Sequence, residues 1–169
     1  MKLIGATLDT PWKPMSLIVD VEGDSGTTVV AAAFEPMKRL IAKGNFTAAA
    51  ITNDGKLDGI TRVVADYIDG KTNAFDALAV SQPGGAFMQD CWAALRKVPA
   101  GSVVSYAQLA AAAGRPAAIR AAGTACATNL IAPIIPCHRV VRTGGDLGNY
   151  GFGVPLKRTL LLHEGIDLP

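Results

Sequence analysis

The chain has 169 residues, half of them apolar, and a mean hydropathy above zero; this suits one ordinary domain or two small ones and excludes global disorder. A net charge of only +2 says little by itself about partners, and no run approaches ~20 uninterrupted apolar residues, so no membrane span is expected. Three cysteines, at 91, 126 and 137, form no close pair, and the N-terminus reaches Asp9 and Pro11 without a long apolar run, so reduced thiols in a cytoplasmic protein are expected.

Short pieces at Leu3 to Ala6, Leu17 to Val21 and Thr28 to Phe34 are rich in Val, Ile and Thr. Pro11, Pro14, Gly23 and Gly26 break them, and the pattern predicts strands joined by turns. A short helix is predicted over residues 36–44, between Pro36 and Gly44. The helical spacing of Leu57, Ile60, Val63, Val64, Tyr67 and Ile68 predicts a second, stopped by Gly70. Residues 71–85 read as an extended segment and linker, with Pro83-Gly84-Gly85 as the boundary between a domain over 1–83 and one over 84–169. Charge changes across it: eight Lys/Arg against ten Asp/Glu before, eight against four after. The second half is therefore the better candidate for an anionic partner, although ordinary scatter of surface charge gives the same figures.

Past the boundary, Phe87, Cys91, Ala94, Leu95 and Val98 share one face of a predicted helix that ends at Pro99-Ala100-Gly101. Ser105 is placed to cap a helix from Tyr106 to Ala113, closed by Gly114, and Pro116 to open another running to about Thr128. Two short helices across a tight glycine-containing turn are the pattern of a helix-turn-helix, a pattern shared by helical hairpins that bind no DNA. Thr143 to Asp146 is a turn, Gly148 to Gly153 a glycine-rich loop with two aromatics, and Pro155 to His163 a last helix stopping near Gly165.

Between these lies Ile134 to Val141, read I-I-P-C-H-R-V-V. Pro136 fixes its own φ and biases Ile135 to an extended conformation, which puts Cys137 at a rigid bend. A thiol is mostly protonated at neutral pH; an imidazole such as His138 or a cation such as Arg139 raises the reactive fraction. Taken alone, the same residues also describe a buried cysteine ending a core strand.

Taken together, these pieces resemble the O6-alkylguanine-DNA alkyltransferases, which move an alkyl group from a damaged base onto their own cysteine. The resemblance rests on P-C-H-R-V at Pro136 to Val140, S-Y at Ser105-Tyr106, R-A-A-G at Arg120 to Gly123, and Asn129 eight residues before Cys137. G-N-Y-G at Gly148 to Gly151 and L-L-H-E-G at Leu161 to Gly165 complete it. It covers residues 84–165 in detail and the first half only in layout. It implies an α/β architecture: an N-terminal RNase H-like strand/helix domain and a C-terminal helical domain with a winged-helix-like helix-turn-helix.

The resemblance also implies roles. Cys137 would be the nucleophile, His138 the base that takes its proton, Glu164 the acid behind the imidazole, and Asn129 the brace of the turn. Tyr106 would reach a ring nitrogen of the leaving guanine. Cys126, Val140, Tyr150 and Gly151 would line the pocket, with Cys137 and Val140 backbone groups accepting from the exocyclic amine and the Gly151 N–H facing O6. Arg120 would fill the stack vacated by the flipped base, and Ser105, Ala117 and Ala121 would lie with Tyr106 on DNA entered through the minor groove. Small residues at Ala117, Ala118, Ala121 and Ala122 suit a close approach to DNA and suit helix packing equally. Arg139 is equally suited to activating the thiol and to tying the motif to the fold.

The implied activity is direct reversal of alkylation damage in duplex DNA, on O6-alkylguanine and in prospect O4-methylthymine, with each molecule reacting once. The expected partner is double-stranded DNA, bound by a monomer, with cooperative assembly on DNA left open; no cofactor, metal or membrane is expected. Some relatives hold zinc through N-terminal cysteines and histidines, whereas this chain has neither before Cys91. Cys126 stands where relatives often carry methionine, and Leu130 where many carry proline. The rival readings are a relative that binds alkylated bases without removing the group, and a cysteine hydrolase using Cys137 and His138.

Overall fold

The computed structural model describes residues 1–23, 26–52 and 57–168. Strands β1 (Leu3–Leu8), β2 (Met15–Gly23) and β3 (Gly26–Ala33) form an antiparallel meander, with Leu3 opposite Asp20 and Leu17 opposite Ala32. Two short edge strands, β4 (Ile51–Thr52) and β5 (Ala79–Val80), run parallel to β1 and β3, giving the order β4-β1-β2-β3-β5. Met15 to Val19 are all buried, so the central strand is covered on both faces, which explains why Leu17, Ile18 and Val19 are apolar in succession rather than alternating.

Helix α1 (Met37–Lys43) lies against β1, β2 and β3 and buries Leu40. Helix α2 (Asp58–Ile68) buries Ile60, Val64 and Tyr67, the face its spacing predicts. Trp12 meets Phe34 and Tyr67 edge-on, and Tyr67 stacks on Phe75 with ring centroids 4.4 Å apart. Residues 71–85 differ from the expected extended linker. Ala74–Ala77 form a 3-10 turn that buries Phe75, and Ala79–Val80 add an edge strand. Two-residue strands are too short for periodicity to reveal.

Residues Leu130–Ile134 cluster with Met1–Gln82 as one unit; Pro83–Asn129 and Ile135–Pro169 form the other. Within the first unit, the Ala32 N–H donates to Leu130 O at 2.8 Å and the Ala132 N–H to Ala32 O at 2.9 Å, a parallel bridge on β3. The buried Gln82 Oε1 accepts the Leu130 N–H at 2.7 Å.

The second unit packs α3 (Ala86–Arg96), α4 (Tyr106–Ala112) and α5 (Ile119–Ala127) around Cys91, Trp92, Leu95, Leu109, Ala122 and Ala125. Trp92 Nε1 donates to Ala125 O at 2.9 Å, which pins α3 to the far end of α5. A 3-10 turn at Cys137–Arg139 leads into β7 (Val140–Val141), which runs parallel to β6 (Val104–Ser105), and α6 (Val154–His163) closes the unit. The overall class is α/β, as expected.

The second helix of the helix-turn-helix starts later than Pro116. The Ala118 N–H donates to Arg115 O at 2.9 Å, so Arg115 to Ala118 form a β-turn with Pro116 at its second position, where proline is favoured. The first helical bond of α5 is Ala122 N–H to Ala118 O. Ala117 therefore lies in the turn rather than in the helix. No helix among the described residues is long and apolar enough to cross a membrane.

Candidate active site

Pro136 has φ −82° and ψ 63°, and the Cys137 N–H donates to Ile135 O at 2.8 Å; this is an inverse γ-turn. The rigid bend expected before Cys137 is thus present. Asn129, 3% exposed, holds the turn from behind: its Nδ2 donates to Ile135 O at 2.9 Å and to Cys137 Sγ at 3.3 Å. One amide therefore fixes the carbonyl before the bend and contacts the sulfur after it.

His138 is buried, and its Nε2 lies 2.9 Å from Glu164 Oε1. A carboxylate only accepts, so Nε2 carries the hydrogen of the neutral ring and Nδ1 carries the lone pair. His138 Nδ1 is buried with no hydrogen-bond partner among the described residues. Burial lowers the His138 pKa below its ordinary value, against the opposing pull of Glu164. Glu164 also takes a fork from Arg139, with Nε on Oε2 and Nη2 on Oε1, both at 2.9 Å. Burial alone would raise the Glu164 carboxyl, but the bonds and charges of His138 and Arg139 outweigh it and hold it well below the usual carboxylate range. Arg139 Nη1 reaches Val98 O at 2.6 Å. Of its two open roles, the geometry gives Arg139 the one that ties the motif to the fold.

Glu164 is placed by the end of its helix. Gly165, at φ +89°, donates to Leu162 O, and Ile166 donates to Leu161 O at 2.8 Å, a Schellman close with Glu164 as the last half-helical residue. The fork from Arg139 compensates for a carboxylate at a helix C-terminus, where the dipole disfavours it.

Tyr106 is brought near by the small parallel sheet. β6 runs directly into Ser105 and Tyr106, while β7 follows directly on Cys137–Arg139, with Val104 opposite Val140 and Ser105 opposite Val141. Ser105 makes a full capping box: its Oγ accepts the Gln108 N–H at 3.1 Å and its N–H donates to Gln108 Oε1 at 2.8 Å. The Tyr106 ring passes Gly123 of α5, and its hydroxyl points to Gly148. Burial raises the Tyr106 pKa, and charge on Cys126 and Cys137 would raise it further. Cys126 lies in the last turn of α5, and burial pushes its thiol far up, which disfavours its thiolate. Tyr150 lies parallel to His138 at 6.4 Å and meets Phe152 edge-on, and Gly151 is exposed beside it.

On α5, Arg120 and Ala121 are exposed, as is Ala117 in the preceding turn, while Ala122 is fully buried. The two uses of small residues are thereby separated: Ala122 packs, whereas Ala117 and Ala121 face outward. The sequence reading missed Lys157. Its Nζ, on α6, donates to Val140 O at 2.5 Å and Asn149 O at 3.2 Å, and the residue is 1% exposed. The Val140 carbonyl is thus already engaged on one side. A lysine after proline near a helix start reads as solvated; only its neighbours reveal the buried strut. Among the described residues no group of three His, Cys, Asp or Glu could hold a metal ion.

A family model described as "6-O-methylguanine DNA methyltransferase, DNA binding domain" matches residues 86–166. The methylated-DNA--protein-cysteine methyltransferase of Salmonella typhimurium is 34% identical over 98% of this chain and 97% of its own length. The chain belongs to this methyltransferase family. Two solved members share its fold. Mycobacterium tuberculosis OGT, in complex with DNA, superposes with a TM-score of 0.75 at 29% identity, covering 96% of this chain and 93% of that one. The O6-methylguanine-DNA methyltransferase of Pyrococcus kodakaraensis gives 0.69 at 26% identity, over 97% and 99%. The family model spans α3 to α6 and so includes every site residue named above.

Proposed function

We propose that this chain repairs alkylated DNA by direct reversal, moving the alkyl group of O6-alkylguanine irreversibly onto Cys137. The observation that carries this is the buried line Arg139–Glu164–His138: it fixes the imidazole tautomer and leaves a basic Nδ1 one residue from a thiol braced by Asn129. His138 Nδ1 takes the thiol proton, directly or through one water. The sulfur then attacks the alkyl carbon in line, the S–C bond forms, and the C–O6 bond breaks with its electron pair leaving on the purine. The Tyr106 hydroxyl gives that purine a proton at a ring nitrogen.

The reacting carbon lies inside a duplex, so the nucleotide must be rotated out at a cost of a few kcal/mol. Arg120, exposed at the start of α5, fills the vacated stack. Ser105, Ala117 and Ala121 line the approach through the minor groove, and the small side chains read little sequence. Tyr150, Gly151, Cys126 and the backbone at Val140 form the base pocket. The pocket also suits O4-methylthymine, which presents the same alkyl-oxygen chemistry on a smaller ring. The protein acts as a monomer in the cytoplasm, and the thioether formed on Cys137 is a stable bond with no ready leaving group, so each molecule reacts once.

Stoichiometry tests this reading. Excess duplex containing O6-methylguanine should lose one lesion per protein molecule and then stop. Continued turnover would point to a hydrolase, and tight binding without lesion loss to a protein that only recognises the base.

A further inference from the structure

Gly148, in the loop before Tyr150, has φ +69°. A Cβ there would lie 3.4 Å from Arg142 Cγ, 3.7 Å from Arg142 Nε and 3.7 Å from the Tyr106 hydroxyl. The guanidinium stem and the phenol therefore flank one small volume that stays open because residue 148 has no side chain. The loop is built to hold them there. The Arg142 N–H donates to Asp146 O at 2.8 Å, and the Gly145 N–H closes back on Arg142 O at 3.0 Å. Asp146 then holds both sides: Oδ2 lies 3.4 Å from Arg142 Nη1, and Oδ1 accepts the Gly148 N–H at 3.4 Å. Activation of the thiol by His138, with Glu164 behind it, makes no use of Arg142.

We infer that Arg142 is a positioning residue for the leaving base: its guanidinium faces the Tyr106 hydroxyl across Gly148 and keeps that hydroxyl able to give its proton to the departing guanine. This rests on the role proposed above for Tyr106. As the C–O6 bond breaks, Tyr106 O–H protonates the purine, and the phenolate left behind is held by the cation until it regains a proton from water. The charged and titratable groups around the phenol are Cys126 from α5, Cys137 from the 3-10 turn and Arg142 from the loop. The first two work against ionisation and Arg142 works for it. Beyond them, Lys157 feels both Arg142 and Asp146. The side chain of Arg142 is 57% exposed, so its influence is screened and modest.

A double-mutant cycle tests the inference, with single-turnover transfer measured on O6-methylguanine in duplex DNA and as the free base. Arg142→Gln should slow both reactions by roughly two- to tenfold, and Arg142→Lys should recover most of the loss. In a Tyr106→Phe background, Arg142→Gln should add no further slowing. Equal slowing by Arg142→Gln in both backgrounds would overturn the inference by showing that Arg142 acts independently of Tyr106, and slowing confined to duplex DNA would overturn it and make Arg142 a phosphate contact. Wild-type rates in Tyr106→Phe would overturn the role of Tyr106 and the inference with it.

Discussion

His138 and Arg139 share one carboxylate, and the sharing decides what each does. Arg139 spends its fork on Glu164, so a permanent cation keeps the acid ionised whether or not the imidazole is charged. His138 donates Nε2–H to the same acid and stays neutral because it is buried. Glu164→Gln should therefore slow transfer about 100-fold or more by loosening the base. It should also cost roughly 3 kcal/mol of stability by leaving a buried guanidinium without its partner. Single-turnover rates and urea unfolding check the two effects separately.

The pH dependence has a defined sign. The unfolded imidazole takes up its proton near pH 6.5, but the folded one, held lower by burial, resists, so stability falls as pH drops through about 6.5. Glu164 is depressed in the fold, so its contribution is present above about pH 4.3 and is lost as pH falls towards its folded value. Urea midpoints should be lower at pH 5 than at pH 7.5, and an unchanged midpoint would contradict the buried neutral His138. Lys157→Met should cost roughly 1–3 kcal/mol by stranding the Val140 and Asn149 carbonyls, and should slow transfer by untethering the loop. Thermal unfolding together with transfer rates checks this. Nothing in the local sequence around Lys157 marks it as buried, whereas P-C-H-R and H-E-G mark the other charged residues by type and spacing.

At the scale of elements, glycine and serine place the chemistry. Gly165 ends α6 so that Glu164 is its C-cap. Gly114, at φ +84°, ends α4 in the same way, with Arg115 N–H on Ala110 O. Ser105 starts α4 one residue before Tyr106, so losing its cap frays the turn that carries the phenol. Ser105→Ala should cost about 1 kcal/mol, or about 2–4 °C of Tm in a chain of this size, together with some transfer rate. These signals were legible because capping acts through residue type at fixed offsets. The late start of α5 is not legible in the sequence, because Pro116 suits a helix start and a β-turn equally and only the Ala118 to Arg115 bond decides between them. The bounds expected for α1 are present, with Pro36 and Gly44 as its caps, and Asn45, at φ 55°, takes the left-handed position after Gly44.

At the scale of the molecule, the three long strands were legible from their apolar runs, and β5 was not. Neither was the placement of residues 130–134 with the N-terminal unit, since Leu130 to Ile134 read as one more apolar stretch until the bonds to Ala32 and Gln82 are seen. The surplus of basic residues after residue 84 and the exposed Arg120 lead to a further expectation for DNA. Binding of the Cys137→Ser chain should weaken roughly tenfold or more between 50 and 200 mM salt, with Arg120→Ala weakening binding to lesion-bearing duplex more than to undamaged duplex. Fluorescence anisotropy measures both. Equal losses on the two duplexes would remove Arg120 from the flipped-base role.

The most direct test of alkyl transfer to Cys137 is intact-mass spectrometry of the chain after incubation with duplex DNA containing O6-methylguanine, followed by peptide mapping. The expected result is a gain of about one methylene per molecule, confined to Cys137 and absent in Cys137→Ser. An unmodified chain, or an adduct on Cys126 or Cys91 instead, would contradict it.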